Sequence, residues 1–381
     1  MADSSLLARA ALLDAQLHPC ACLLQWQGER PALLADTLAL LAAQEGSPPF
    51  LLRVGQAQLQ VVPEQDFAPG QLTLLIDDLT MTGEGLGRLA AWRERKAGIG
   101  LPIATIVANP GLLSHVTHVE LDARQQLPRQ VQALSGRGLQ LLANGVSDWT
   151  QAAQCAQLKL PLLADALMRA ATPVGQRGLN TAQTVIVQAM DLVARNADLR
   201  ELDAVLRRDA TLSFRLLRYI NSAGFGLGSQ VQSLRHAVNL LGYSTLQRWL
   251  GLLLATAGGG VHAPALMQAA VCRGRMAELL GAQLLGKRES EELFMTGMFS
   301  LLDRLLGLQM EKVLEQVKLP EAVCEALLTR QGVYGPFLQL VEALGDPGAD
   351  GAALAESLFI SPQTVNTIQL QALAWARQFR D

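Results

Sequence analysis

Two rhythms of apolar and polar positions divide the chain. From residue 20 to about residue 145, short apolar runs recur as CACLLQW, FLLRVG, LTLLID, IATIVA, HVTHVELD and LQLLANG. Their length and weak polar alternation predict six strands buried on both faces, as in a parallel sheet. The stretches between them, ALLADTLALLAAQ, GEGLGRLAAWRERKAG and ARQQLPRQVQALSG, carry helical patterning and read as crossovers. A β/α barrel, complete or incomplete, is the expected closure.

Around residues 168–183, MRAATPVGQRGLNTAQ, the strand-like runs stop and a helical period takes over. Pro173, Gly175 and Gly178 mark this segment as a boundary, so two domains are expected, residues 1–170 and 171–381. In the second, Ser244 with Gln247 three positions later resembles a capping box, followed by Leu246, Trp249, Leu250, Leu253 and Leu254 on one face. Prolines 264, 320, 336 and 362 fall where a first helical turn tolerates them. The fold class is therefore α/β plus all-α, with seven to nine helices in the second half.

One stretch of that half concentrates polar groups: RLLRYINSAGFGLGSQVQSLRHAVNLLGYSTLQRWL, residues 215–250. Serine, histidine and asparagine are the parts of a nucleophilic relay. Helix boundaries explain them more simply. Asp209 can cap a helix with Leu212, Leu216 and Ile220 on its inner face, which leaves Asn221 and Ser222 at its end and Gly224, Gly226 and Gly228 in the turn. Ser233 caps the next helix, with Leu234, Ala237, Val238 and Leu241 on one face and Gly242 at its end. His236 lies off that face, and no Asp or Glu stands between Asp209 and Glu278 to orient it as a base.

Composition narrows the classes further. Of 381 residues half are hydrophobic and 17% are charged, which leaves ample surface to bury and little scope for long disorder. A net charge of −3 disfavours a protein that neutralises phosphates along nucleic acid. Arg208, Arg215, Arg218, Arg235, Arg248, Arg273 and Arg275 could still form a local basic surface, although a solvated helix face is the plainer reading. The five cysteines have no zinc or dithiol spacing and read as free thiols of a reducing compartment. The N-terminus lacks the pattern of a secretion signal, and the longest apolar run, WLGLLLATAGGGV, is too short and glycine-rich to span a bilayer. A cytoplasmic protein is expected.

The segment LLRYINSAGFGLGSQVQSLRHAVNLLGYSTLQRW resembles the HDOD module, the HD-related output domain of bacterial signalling proteins. Its hallmarks are a helix ending in Ile-Asn-Ser, a glycine turn, and Ser-Leu-x-x-Ala-x-x-Leu-Leu-Gly. HDOD domains resemble HD phosphohydrolases but lack their metal-binding His-Asp pair. In GMFSLLD, residues 297–303, Ser300 and Leu301 fall where that pair would be. The combination with a barrel resembles EAL–HDOD proteins, whose barrel is similar to cyclic-di-GMP phosphodiesterases. ACLLQWQG then puts Ala21 and Gln25 at the metal-binding glutamate and the arginine of that family's signature. Arg53 falls at a metal-binding asparagine, Leu75 and Asp78 at a Glu-x-x-Glu pair, Glu120 at the catalytic lysine, with Asp122 kept, and Asn144 at a further glutamate. Two-metal hydrolysis needs a dense carboxylate set, which the resemblance does not find here.

The resemblance implies a degenerate EAL-like barrel followed by an HDOD-like bundle, in a regulatory protein of cyclic-di-GMP-related signal transduction that binds signalling proteins and is not an enzyme. Asn221, Ser222, Arg235 and His236 are the candidate structural or partner-contacting residues. No catalytic residue, cofactor or metal is expected, and residual cyclic-di-GMP binding, membrane association and nucleic-acid binding are not expected either. The alternatives are a metal-dependent phosphodiesterase or phosphohydrolase with a rearranged site, and a nucleic-acid-binding regulator.

Overall fold

The computed structural model describes residues 6–27, 34–36, 38–39, 49–55, 68–77, 83–164, 166–170, 179–206, 208, 212, 216, 220, 234–257, 262–317, 319–346 and 348–376. Contacts divide the chain into two units: Met1–Ala170 with Ala343–Thr367, and Ala171–Glu342 with Ile368–Asp381. The expected assignment of all of 171–381 to one domain thus differs from the contact map, which groups residues 343–367 with the barrel.

The first unit is a closed barrel of eight strands: β1 Leu6–Leu13, β2 Pro19–Gln27, β3 Phe50–Val54, β4 Leu72–Ile76, β5 Gly98–Pro102, β6 His118–Asp122, β7 Gln140–Asn144 and β8 Leu162–Leu163. β1 runs antiparallel to both its neighbours, and all other pairs are parallel. Six strands were expected from the pattern, so two were missed and one was misplaced. Leu6–Leu13 belongs to the stretch considered only as a leader. β8 is two residues long and carries no periodicity to read. IATIVA is a short helix, α2 Ile103–Ala108, because the chain leaves the sheet at Pro102 and exposes Val107 to solvent. The strand before it, GIGLP, is hidden by its glycines.

Those glycines are required by closure. A Cβ on Gly98 would lie 2.5 Å from Thr73 Oγ1 and 3.1 Å from His118 Cε1, and one on Gly100 would lie 2.5 Å from Leu75 Cδ2. Inward positions alternate along each strand, so Ala10, Ala21, Leu23, Leu51, Leu75, Leu142 and Leu163 pack as one inner cluster. Helices α1 Gly83–Glu94, α3 Leu127–Leu134 and α4 Trp149–Gln157 make crossovers, and residues 34–36 and 38–39 are helical, with Leu34 and Leu38 buried. Returning residues complete the unit. Arg9 N donates to Leu344 O at 2.9 Å, Leu7 N to Asn366 Oδ1 at 3.0 Å, and Arg169 pairs with Asp346 at 2.9 Å.

Eleven α-helices follow residue 180 among the described residues, more than the seven to nine expected, because several are one or two turns long. They are α5 Thr181–Ala194, α6 Leu199–Leu206, α7 Leu234–Thr256, α8 Ala263–Gly281, α9 Lys287–Phe299, α10 Leu302–Leu306, α11 Met310–Gln316, α12 Glu321–Thr329, α13 Gly335–Ala343, α14 Gly351–Ser357 and α15 Pro362–Ala376. Asn180 and Gln183 form a reciprocal capping box at the start of α5. Helix α7 breaks at Gly242, whose φ of 79° only glycine adopts without strain. Helices α8 and α9 cross so closely that a Cβ on Gly297 would meet Arg273 O at 2.6 Å and Gly274 Cα at 2.9 Å. Phe299, Met298, Leu293 and Leu266 fill the core around that crossing.

Candidate functional site

At the C-terminal mouth of the barrel, inward parity brings four polar side chains together. Arg53 on β3 shares its inward file with Leu51, Glu120 on β6 lies between His118 and Asp122, and Asn144 ends β7. Asp77 follows β4 in the file of Thr73 and Leu75. Arg53 donates to Glu120 through both terminal nitrogens, Nη2 to Oε1 at 2.9 Å and Nη1 to Oε2 at 3.3 Å. Nη1 also donates to Asp77 Oδ1. Asn144 Nδ2 donates to Glu120 Oε2 at 3.2 Å, while its Oδ1 accepts Gly145 N at 2.7 Å.

The electrostatics follow from burial. Glu120 keeps 4% of its side chain exposed and Arg53 11%, whereas Asp77 keeps 44%. Burial pushes the Glu120 carboxyl above the usual carboxylate range, and the Arg53 guanidinium opposes that shift. Burial pulls the other way on Arg53, but Glu120 and Asp77 outweigh it and hold its proton more tightly than usual. We treat the pair as charged, because two parallel N–H···O bonds are the geometry of guanidinium with carboxylate.

This set does not fit a two-metal centre. Ala21 and Leu75 belong to the inner apolar cluster, and the two carboxylates at the mouth are already turned onto a fixed cation. Asp122 instead binds Arg124 at 2.9 Å and accepts Arg124 N at 3.0 Å, so it organises the turn after β6. The bond from Arg124, opposed by partial burial, holds its carboxyl below the usual range. Asp78 lies outside the described residues. Among the described residues, no three His, Cys, Asp or Glu side chains stand together as a metal-binding group.

The bundle repeats the substitution of charge types with other residues. Ser300 ends α9, where its Oγ donates to Gly297 O at 2.7 Å and accepts from Arg273 Nη1 at 3.1 Å. Leu301 beside it is buried. Arg273 Nη1 lies 3.7 Å from Glu342 Oε1, and Arg330 binds the same carboxylate at both oxygens, at 2.9 and 3.0 Å. Asp303 is the nearest acid along the chain. Burial raises its pKa, and its Oδ1 has no hydrogen-bond partner among the described residues.

Of the candidates taken from sequence, Asn221 and Ser222 lie outside the described residues. Arg235 is in the first turn of α7, and His236 follows it, half-buried beside the buried Ala237 and Val238. The supposed basic face dissolves in part. Arg248 stacks over Phe294 at 4.1 Å and pairs with Glu278 at 2.9 Å, while Arg275 pairs with Glu278 at 2.7 Å and stacks over Trp375 at 5.3 Å. With Arg273 engaged by Ser300, three of the seven arginines are internal ties. Sequence reading missed Asp77, Arg330 and Glu342, and took Arg273 for part of a basic surface when it ties Ser300 and Glu342 together. Only Asp77 had a signal: strand alternation puts it, and not Asp78, in register with Leu75.

The match to a family model covers residues 179–327 and is to the HDOD domain. Residues 179–327 are an HDOD domain. Over 333 residues, 83% of this chain and 80% of the relative, it is 24% identical to the uncharacterized protein YuxH of Bacillus subtilis (strain 168). It is 28% identical over 170 residues to the cyclic di-GMP phosphodiesterase CdgJ of Vibrio cholerae serotype O1, covering 44% of this chain and 39% of that one. Among solved structures, a putative signal transduction protein from Marinobacter aquaeolei VT8 aligns over 98% of this chain and 92% of its own, at 16% identity and a TM-score of 0.37. The EAL enzyme Bd1971 in its cAMP-bound form aligns over 41% of this chain and 60% of its own, at 9% identity and a TM-score of 0.32. No helix among the described residues is long and apolar enough to cross a membrane.

Proposed function

We propose that this protein is a non-enzymatic regulator in cyclic-di-GMP-related signal transduction, acting by protein–protein binding through a bundle that contains an HDOD domain. The signalling context rests on the HDOD match and on the similarity to a relative named as a cyclic di-GMP phosphodiesterase. The single observation that supports binding over hydrolysis is the Arg53–Glu120 pair. A guanidinium with two of its terminal nitrogens on Glu120 and Asp77 neutralises carboxylates that a divalent cation would otherwise need. It cannot polarise or ionise a water as a metal does. Asn144 further occupies Glu120, which supports a structural over a catalytic role for that carboxylate.

The experiment is a hydrolysis assay on the full chain with cyclic di-GMP, in magnesium and in manganese, read by separation of substrate from linear product. No turnover above buffer is expected. Turnover that depends on added metal and is lost in Glu120→Gln would replace this reading with a phosphodiesterase using a rearranged site.

A further inference from the structure

The other end of the barrel carries a feature that the mouth chemistry does not use. At the N-terminal ends of the strands the inner wall opens into a cavity of about 950 Å³, within the size range of small-molecule sites. Leu12, Ala21, Leu51 and Leu142 give it an apolar wall. Thr73, His118 and Gln140 contribute polar groups. His118 Nδ1 lies 2.8 Å from Thr117 Oγ1, and burial lowers its pKa against the opposing bond from Gln140, so the wall carries no histidine charge at neutral pH.

Among the described residues, charge on the lining is of one sign: Arg93, Lys96 and Lys159, all exposed, line it, and no described Asp or Glu does. No Phe, Tyr or Trp is among its described lining residues, which therefore offer no stacking platform for a nucleobase. The two lysines hold equivalent places, each in the turn that leads from a helix into a strand, α1 into β5 and α4 into β8. Both take the left-handed backbone region, with φ of 65° and 55°, where glycine would be free of Cβ strain.

We propose that this cavity binds a single-chain anionic amphiphile, a fatty-acid-like carboxylate, with its chain against Leu12, Leu51 and Leu142 and its head group among Arg93, Lys96 and Lys159. The apolar wall selects the chain and the cationic side chains of Arg93, Lys96 and Lys159 select the charge. The site is separate from the Arg53–Glu120 cluster, so the inference stands or falls independently of the proposed function.

The test is calorimetric titration of the full chain with dodecanoate below its micelle concentration, with dodecanol and dodecyltrimethylammonium as neutral and cationic probes. Saturable binding of dodecanoate, weaker binding of dodecanol and none of the cation are expected. The double variant Lys96→Gly/Lys159→Gly removes both charges at positions whose backbone favours glycine. It should keep or raise the melting midpoint while weakening dodecanoate about five-fold. Ala21→Phe should fill the cavity and remove binding, with circular dichroism verifying the fold. Absence of saturable binding would overturn the proposal, as would equal affinity for dodecanol, or affinity unchanged in the lysine double variant.

Discussion

The barrel mouth and the Ser300 region of the bundle each bring an arginine to a glutamate, but they differ in how far the charges are withdrawn from water. In the barrel, one nearly buried Arg53 holds a nearly buried Glu120, and the partial relief comes from Asn144 and the half-exposed Asp77. In the bundle, Glu342 keeps 27% of its side chain exposed and is shared by Arg273 and Arg330, with Ser300 taking a further hydrogen bond from Arg273. A pair that is buried is costly to break, while one that is partly wet is less so. The two regions should therefore respond unequally to equivalent substitutions.

The largest effect is expected for Arg53→Met, which leaves Glu120 buried without its counter-charge. A loss of about 3 kcal/mol in urea unfolding is expected at neutral pH. The double variant Arg53→Met/Glu120→Leu should recover most of it, because no charge is then stranded. The deficit of the single variant should depend on pH with a definite sign. Burial already raises the Glu120 pKa in the folded protein, and removing Arg53 takes away the main opposing influence. A carboxyl raised on folding supports the fold below its unfolded pKa and loses that support as pH climbs through its folded pKa. The gap to the parent protein should thus widen from pH 4 to pH 8, and a gap independent of pH would mean that Glu120 is not the stranded group.

Glycine substitutions sharpen the same contrast at the level of packing. Gly297→Ala drives a methyl into the backbone of Arg273 and Gly274, neither of which can rotate away, so about 2 kcal/mol should be lost. Gly100→Ala in the barrel meets the end of the Leu75 side chain, which can rotate, and should cost less. Equal losses in thermal unfolding would show that the barrel interior is as rigid as the helix crossing.

Glu342→Gln removes the shared carboxylate of the bundle but keeps an acceptor for one arginine. Its partial exposure limits the expected loss to about 1 kcal/mol, and the loss should shrink in high salt. The smallest effect concerns His118. Burial lowers its pKa on folding, so its neutral form supports the fold above pH 6.5 and that support fades as pH falls through the folded pKa. His118→Gln should flatten the acid limb of a stability–pH profile by less than about 1 kcal/mol. An unchanged acid limb would assign that limb to other groups.

Much of the architecture was written in local pattern. The change from short apolar runs to helical periodicity at the Pro173 region separated a β/α part from an all-α part, and the prolines at 264, 320, 336 and 362 marked true helix starts. Leu212, Leu216 and Ile220 are helical and buried as their spacing required. The sequence also showed a deficit of ligand types, since the side chains of Ala21, Leu75 and Leu301 offer no donor atom and Ser300 is neither a histidine nor a carboxylate.

Tertiary structure decided what pairing and closure decide. A strand of two residues, Leu162–Leu163, exists because the sheet must close between β7 and β1, and no local propensity marks it. Gly98 and Gly100 read as loop residues until His118, Thr73 and Leu75 crowd them from neighbouring strands. The Arg53–Glu120 contact spans 67 positions of sequence, and Arg273 reaches Ser300 across 27. Such contacts arise where strand parity and helix crossing bring distant side chains to one point, and the energy that holds them, Coulomb attraction in a dry site, exists only once that site has formed.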